Sequence, residues 1–161
     1  MLTEADFNFN NKVLGRSTIY QAEAFHILLD KQYGSRPNKC AIDHVLHKRL
    51  TYDILQQMRQ TGAMCSNDAK SCYDRVVHSI ACIAYRQLGV PSPPVISMLK
   101  TIQTMKYHIL TNYGDSTFYM DSDHALCPFQ GILHGNGAAP TTWVVISTVL
   151  IQMLKEAGNY R

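Results

Sequence analysis

Apolar positions recur along most of the chain with a helical period. From Ser17, a candidate N-cap, Ile19, Ala22, Phe25 (or His26) and Leu29 predict a first helix. Ile42, Val45, Leu46, Leu50, Ile54, Leu55 and Met58 form one stripe and predict a helix over 41–60. Val77, Ile80, Ala81, Ala84 and Leu88 predict another over 74–88, stopped by Gly89 and the stiff connector Val90-Pro91-Ser92-Pro93-Pro94. Ile96, Leu99 and Ile102 place a helix from Val95 to Met105. The period then changes. Tyr107 to Leu110 and Thr117 to Met120 read as hairpin strands around the turn Asn112-Tyr113-Gly114-Asp115. Trp143 to Leu154, about a dozen residues interrupted by Ser147, Thr148 and Gln152, reads as a buried helix too short to span a bilayer. Residues 1–16, rich in Asn and without a period, read as an irregular arm. The pattern predicts a helix-rich α/β (α+β) fold with a small antiparallel sheet.

Between the second and third helices, Gly62 punctuates the chain and Met64 and Cys65 are apolar. They predict a short buried strand ending on Asp68, with a helix following at once. A carboxylate at the carboxyl end of a strand stands where open α/β sheets bind ligands. The helix start beside it offers unpaired N–H groups and a positive dipole end. Together they suit a metal-bound polyphosphate, the carboxylate taking the cation and the amides the phosphate oxygens. Near the end of the chain, Gly131, Gly135 and Gly137 allow close backbone approach, and Pro140 suits a first helical turn.

Composition narrows the class. A chain of 161 residues is enough for one domain with a core. With 46% hydrophobic and 17% charged residues it is globular rather than disordered. A net charge of +3 permits a nucleic-acid partner without indicating one. Five scattered cysteines without Cys-x-x-Cys argue against a zinc site or a disulfide framework and for an intracellular setting, cytoplasm or nucleus. The residues from Met1 to Asp6 lack the basic and apolar segments of a signal peptide, and no membrane partner is expected. His44 and His47 share a helical turn, but no third ligand accompanies them, so they read as solvated or capping groups. Asp121-Ser122-Asp123 reads as a surface turn, and Lys12 and Arg16 as solvated charge.

Two stretches carry a family resemblance. Asn67-Asp68-Ala69-Lys70-Ser71-Cys72-Tyr73-Asp74-Arg75 resembles the first palm motif of reverse transcriptases, Asp-x-x-x-x-aromatic, in its retrotransposon and group-II-like form. Pro128-Phe129-Gln130-Gly131, a glycine-containing loop and Ala139-Pro140-Thr141-Thr142-Trp143 resemble the second, with a longer loop than many relatives have. Gln32-Tyr33-Gly34-Ser35-Arg36 partly matches a fingers segment, with Ser35 where a second aromatic is usual. The resemblance covers residues 12–157. It implies a partial fingers-like helical region over 1–62 and a partial, incomplete polymerase palm over 63–161, forming one compact unit.

The function implied is nucleotidyl transfer onto a primer 3′-hydroxyl, with two Mg2+ (or Mn2+) ions about 3.5–4 Å apart. Asp68 would ligate metal, and Ala69, Ser71 and Cys72 would meet the metal and triphosphate through their backbones. Tyr73 would pack under the incoming sugar and reject a 2′-hydroxyl, and Gln130 and Gly131 would contact the nucleotide. Arg36 would touch template or phosphate, and Asp74 would cap a helix. The implied partners are an RNA template with a DNA primer and deoxynucleoside triphosphates. The third palm motif, aromatic-x-Asp-Asp, is not in the sequence. The expectation is therefore a fragment inactive alone, which the remaining palm and thumb segments would complete. Two alternatives stay open: a non-catalytic nucleic-acid-binding scaffold of the same fold, and an unrelated α/β domain that binds phosphate at the Asp68 turn.

Overall fold

The computed structural model describes residues 4–64, 66, 68–121 and 129–158. In chain order these give α1 (Ala5–Ala24), α2 (Ala41–Gln57), a 3-10 turn (Cys72–Arg75), α3 (His78–Gln87), α4 (Ser92–Thr104), β1 (Tyr107–Thr111), β2 (Gly114–Met120) and α5 (Ala139–Glu156). The architecture is α+β, helix-rich, with a two-stranded antiparallel sheet.

The core lies where α3 packs on α4 and α5, and α5 on α1. Ala81, Ala84, Val95, Leu99, Ile102, Ile132 and Val145 fill it. Tyr85 is fully buried and exchanges a hydrogen bond of 2.8 Å with Thr142 between α3 and α5; burial pushes its phenol up to about 12. The α1–α5 contact is close because two glycines meet there. A Cβ on Gly15 would stand 2.9 Å from Thr141 Oγ1, and one on Gly137 would stand 2.7 Å from the Lys12 backbone nitrogen. Residues of the expected fingers-like region thus share the core of the expected palm.

Helix limits follow local chemistry. The Asp43 carboxylate accepts the Cys40 N–H at 3.2 Å and fastens the start of α2. Prolines open α4 and α5, in first turns whose N–H groups have no helical acceptor. At the end of α3, Gly89 takes φ +76, and Val90 N–H donates back to the Tyr85 carbonyl at 3.1 Å. The hairpin closes through Thr111↔Gly114, with an irregularity between His108 and Leu110 where the Ser116 hydroxyl accepts the Ile109 N–H.

Three expectations are corrected, while the helix predicted over 41–60 forms as α2. Residues 5–16 are helical, continuous with the 17–24 segment, because Asn8 and Asn11 face other parts of the chain: Asn8 Oδ1 accepts the Gly137 N–H and Asn11 is buried. The stripe on α2 is exposed, from Ile42 at 77% through Leu50 and Met58, since a period identifies a helix but not what covers it. The buried strand before Asp68 does not form among the described residues. Met64 is 51% exposed and no described strand lies alongside to pair with it, while Cys65 and Asn67 fall outside the described residues. The helix expected over 74–88 breaks into the 3-10 turn and α3, separated by extended backbone at Val76 and Val77. Asp74 therefore caps no α-helix; Val77 takes that place at the start of α3.

Candidate functional site

Backbone geometry builds the site by joining two turns. The first runs from Asp68 through the 3-10 turn to His78, with Ser71 in left-handed conformation at φ +51. The second runs from Phe129 to Ala138, with Gly131 at φ +90 and Leu133 at φ +63. They lock together edge to edge. Gly131 N–H donates to the Val76 carbonyl at 2.8 Å, and Ile132 N–H donates to the Tyr73 carbonyl at 2.9 Å. A Cβ on Gly131 would stand 2.8 Å from the Asp74 carbonyl oxygen and 2.9 Å from its Cα. Only glycine suits this position, on both φ and space.

Gly131 is thus buried against the first turn, and Gly137 is pressed onto α1. These glycines allow the chain to approach itself.

Tyr73 sits at the junction, half-buried, with its ring edge-on to His134 at 5.4 Å and 73°. Burial, with a smaller contribution from Cys72, raises its phenol above the ordinary value. Asp68, Ala69, Ser71 and Gln130 are exposed, and Cys72 is half-buried. The Ser71 and Cys72 N–H groups stand at the start of the 3-10 turn. A 3-10 turn, in place of the expected helix start, presents them, so the donors are present without a long helix dipole behind them.

Arg36 lies elsewhere and is spoken for. Its Nε and one terminal nitrogen pair with both Glu23 oxygens at 2.5 and 2.7 Å, and the other donates to the Leu29 and Gln32 carbonyls. Its side chain is 6% exposed. The hydrogen bond from Arg36 holds the Glu23 carboxyl below its ordinary value, and the same bond raises the arginine. A phosphate would have to displace Glu23 to reach the guanidinium.

His44 and His47 flank the Tyr33 ring, at 5.3 and 5.8 Å between centroids. Among the described residues no group of three or more His, Cys, Asp or Glu side chains could hold a metal. One exposed carboxylate, Asp68, with the Ala69 carbonyl beside it, matches magnesium's preference for few protein oxygens together with phosphate oxygens. Asp121 is described, while Ser122 and Asp123, of the Asp-x-Asp pair, and Pro128 fall outside the described residues.

Several organising residues carry no sequence signal. Asn136, buried, donates to the Ile132 carbonyl at 2.8 Å and accepts the Ala138 N–H at 3.0 Å, shaping the second turn. His78, also buried, is bonded to the Gly131 carbonyl and to Gln103. Nothing in the helical stretch from His78 marks this histidine as a neighbour of Gly131. A concavity of about 690 Å³ lies apart from both turns, between α3, α5 and the 27–29 segment, and is lined by Ile80, Ile83, Val149 and Met153. Among the described residues no helix is long and apolar enough to cross a membrane.

No family model matches the chain, and neither a curated protein nor a solved structure matches it.

Proposed function

We propose that the chain is a fingers-and-palm segment of an RNA-directed DNA polymerase, joining an incoming deoxynucleoside triphosphate to a DNA primer on an RNA template. One observation carries the reading: the Tyr73–Val76 backbone is hydrogen-bonded to Gly131–Ile132, with Gly131 seated on Asp74. The two motifs are far apart in sequence and form one continuous backbone unit in the fold. The unrelated phosphate-binding alternative requires no such junction.

Each residue has a role in this reading. Asp68, with the Ala69 carbonyl, holds Mg2+ or Mn2+, and the Ser71 and Cys72 N–H groups face the triphosphate. Tyr73 lies under the sugar, and Gln130 and Gly131 border the nucleotide. When bound, the metal neutralises triphosphate charge; the chain's own residues contribute positioning and fixed dipoles. Asp68 and Gln130 are exposed and accessible to such a ligand. Arg36, occupied by Glu23, keeps a structural role. The 161 residues contain no aromatic-x-Asp-Asp, so turnover requires carboxylates from another segment.

The test is primer extension on an RNA template by the chain produced together with its downstream coding sequence. The expected result is Mg2+-dependent extension that Asp68→Asn abolishes. A folded protein that carries an Asp-Asp hairpin yet extends nothing would reject catalysis and favour the scaffold alternative.

A further inference from the structure

The buried ring of His78 is held at both nitrogens. Nε2 lies 2.6 Å from the Gly131 carbonyl oxygen, and Nδ1 lies 2.9 Å from Gln103 Nε2. A carbonyl only accepts, so Nε2 carries the proton; Nδ1 of the neutral ring then accepts an N–H from the Gln103 amide. The ring stands at the first position of α3 and Gln103 in the last turn of α4. Two packed helices therefore reach one carbonyl. The Gly131 N–H and the Ile132 N–H are already taken by Val76 and Tyr73, and the Asp74 backbone closes the face where a Cβ would lie. The His78 bond completes the set, fixing the plane of the Gly131–Ile132 peptide. Gln130, immediately before it, is exposed.

We propose that His78, braced by Gln103, is a positioning residue that fixes the Gly131 peptide and so the direction in which Gln130 meets a nucleotide. The proposal rests on the nucleotide-site reading above. Loss of the imidazole leaves a buried carbonyl without its donor and leaves the Gly131–Ile132 peptide held only through the Ile132 N–H. A side chain that returns an N–H to the Nε2 position restores the seat, and a bulky apolar one does not.

The test uses the 161-residue chain and Mg2+–dATP. Nitrogen-15 correlation of the imidazole should report the Nε2–H tautomer for His78. Titration should show affinity about tenfold weaker in His78→Leu, in line with one lost buried hydrogen bond. His78→Gln should recover most of it, and Gln103→Leu, which leaves the ring in place, should fall between them. Should His78→Leu fail to fold, Gln103→Leu and His78→Gln carry the comparison. An Nδ1–H tautomer, unchanged affinity in both leucine variants, or a glutamine variant no better than the leucine one would overturn the positioning role. A wild-type chain with the Nε2–H tautomer but no affinity for Mg2+–dATP would instead overturn the nucleotide-site reading, and this role with it.

Discussion

Gly131 carries two constraints at once, a φ of +90 and an Asp74 carbonyl oxygen 2.8 Å from where a Cβ would be. Gly131→Ala is expected to cost about 2–4 kcal/mol, because neither the backbone conformation nor the opposing backbone can yield cheaply. Chemical denaturation of the two chains measures it, and a loss under about 0.5 kcal/mol would mean the two turns do not meet as described. Tyr73 makes a different kind of prediction, since its role concerns a ligand. In a catalytically complete protein, Tyr73→Val should admit ribonucleotides more readily; unchanged sugar discrimination would remove the residue from the nucleotide site. The types and spacing that single out Asp68, Tyr73, Gln130 and Gly131 as candidates were legible in the sequence. His78, Gln103 and Asn136 were not, because their roles come from contacts between segments far apart in the chain, and a buried histidine in a helix has no local signature.

At the scale of elements, the Arg36–Glu23 pair ties the turn after α1 to that helix, through both carboxylate oxygens and two backbone carbonyls. The Glu23 carboxyl is held below its ordinary value of 4.5 in the folded chain. The stabilisation is thus complete above pH 4.5 and is lost as pH falls from there through the lower folded value. Stability measured against pH should decline over that acid range in the wild type, and Glu23→Gln should remove that part of the slope. An identical slope in both would dissociate the pair from acid stability. The hairpin and α5 match the periodicity closely, since the apolar stripe, Pro140 in a first turn and the Asn-Tyr-Gly turn all act locally, whereas α4 starts at Ser92 and takes Pro93 and Pro94, expected in a connector, into its first turn. The 3-10 turn before α3 was not legible. Val76 and Val77 continue the apolar pattern of α3 in sequence, yet their extended backbone lets the Val76 carbonyl meet Gly131 instead of a helical N–H.

The whole molecule divides into a packed part and an exposed one. α1, α3, α4 and α5 enclose the core, while α2 has no buried residue and carries exposed Ile42, Val45, Leu46 and Leu50. Surface of this kind favours association. Val45→Lys with Leu50→Lys should leave unfolding stability within about 0.5 kcal/mol, whereas Ile102→Ala should cost about 2–5 kcal/mol. Light scattering on the same lysine variant should show reduced self-association, and a large loss of stability would mean α2 is covered after all. The junction of the two turns stands as the proposed metal-nucleotide site. Its most direct measurement is paramagnetic broadening of backbone amide signals by Mn2+ in the presence of a deoxynucleoside triphosphate. Signals of Ala69 to Tyr73 and of Gln130 to Ile132 should broaden together, and Asp68→Asn should abolish the effect at both turns. Broadening confined to other parts of the chain, or persisting unchanged in Asp68→Asn, would contradict it.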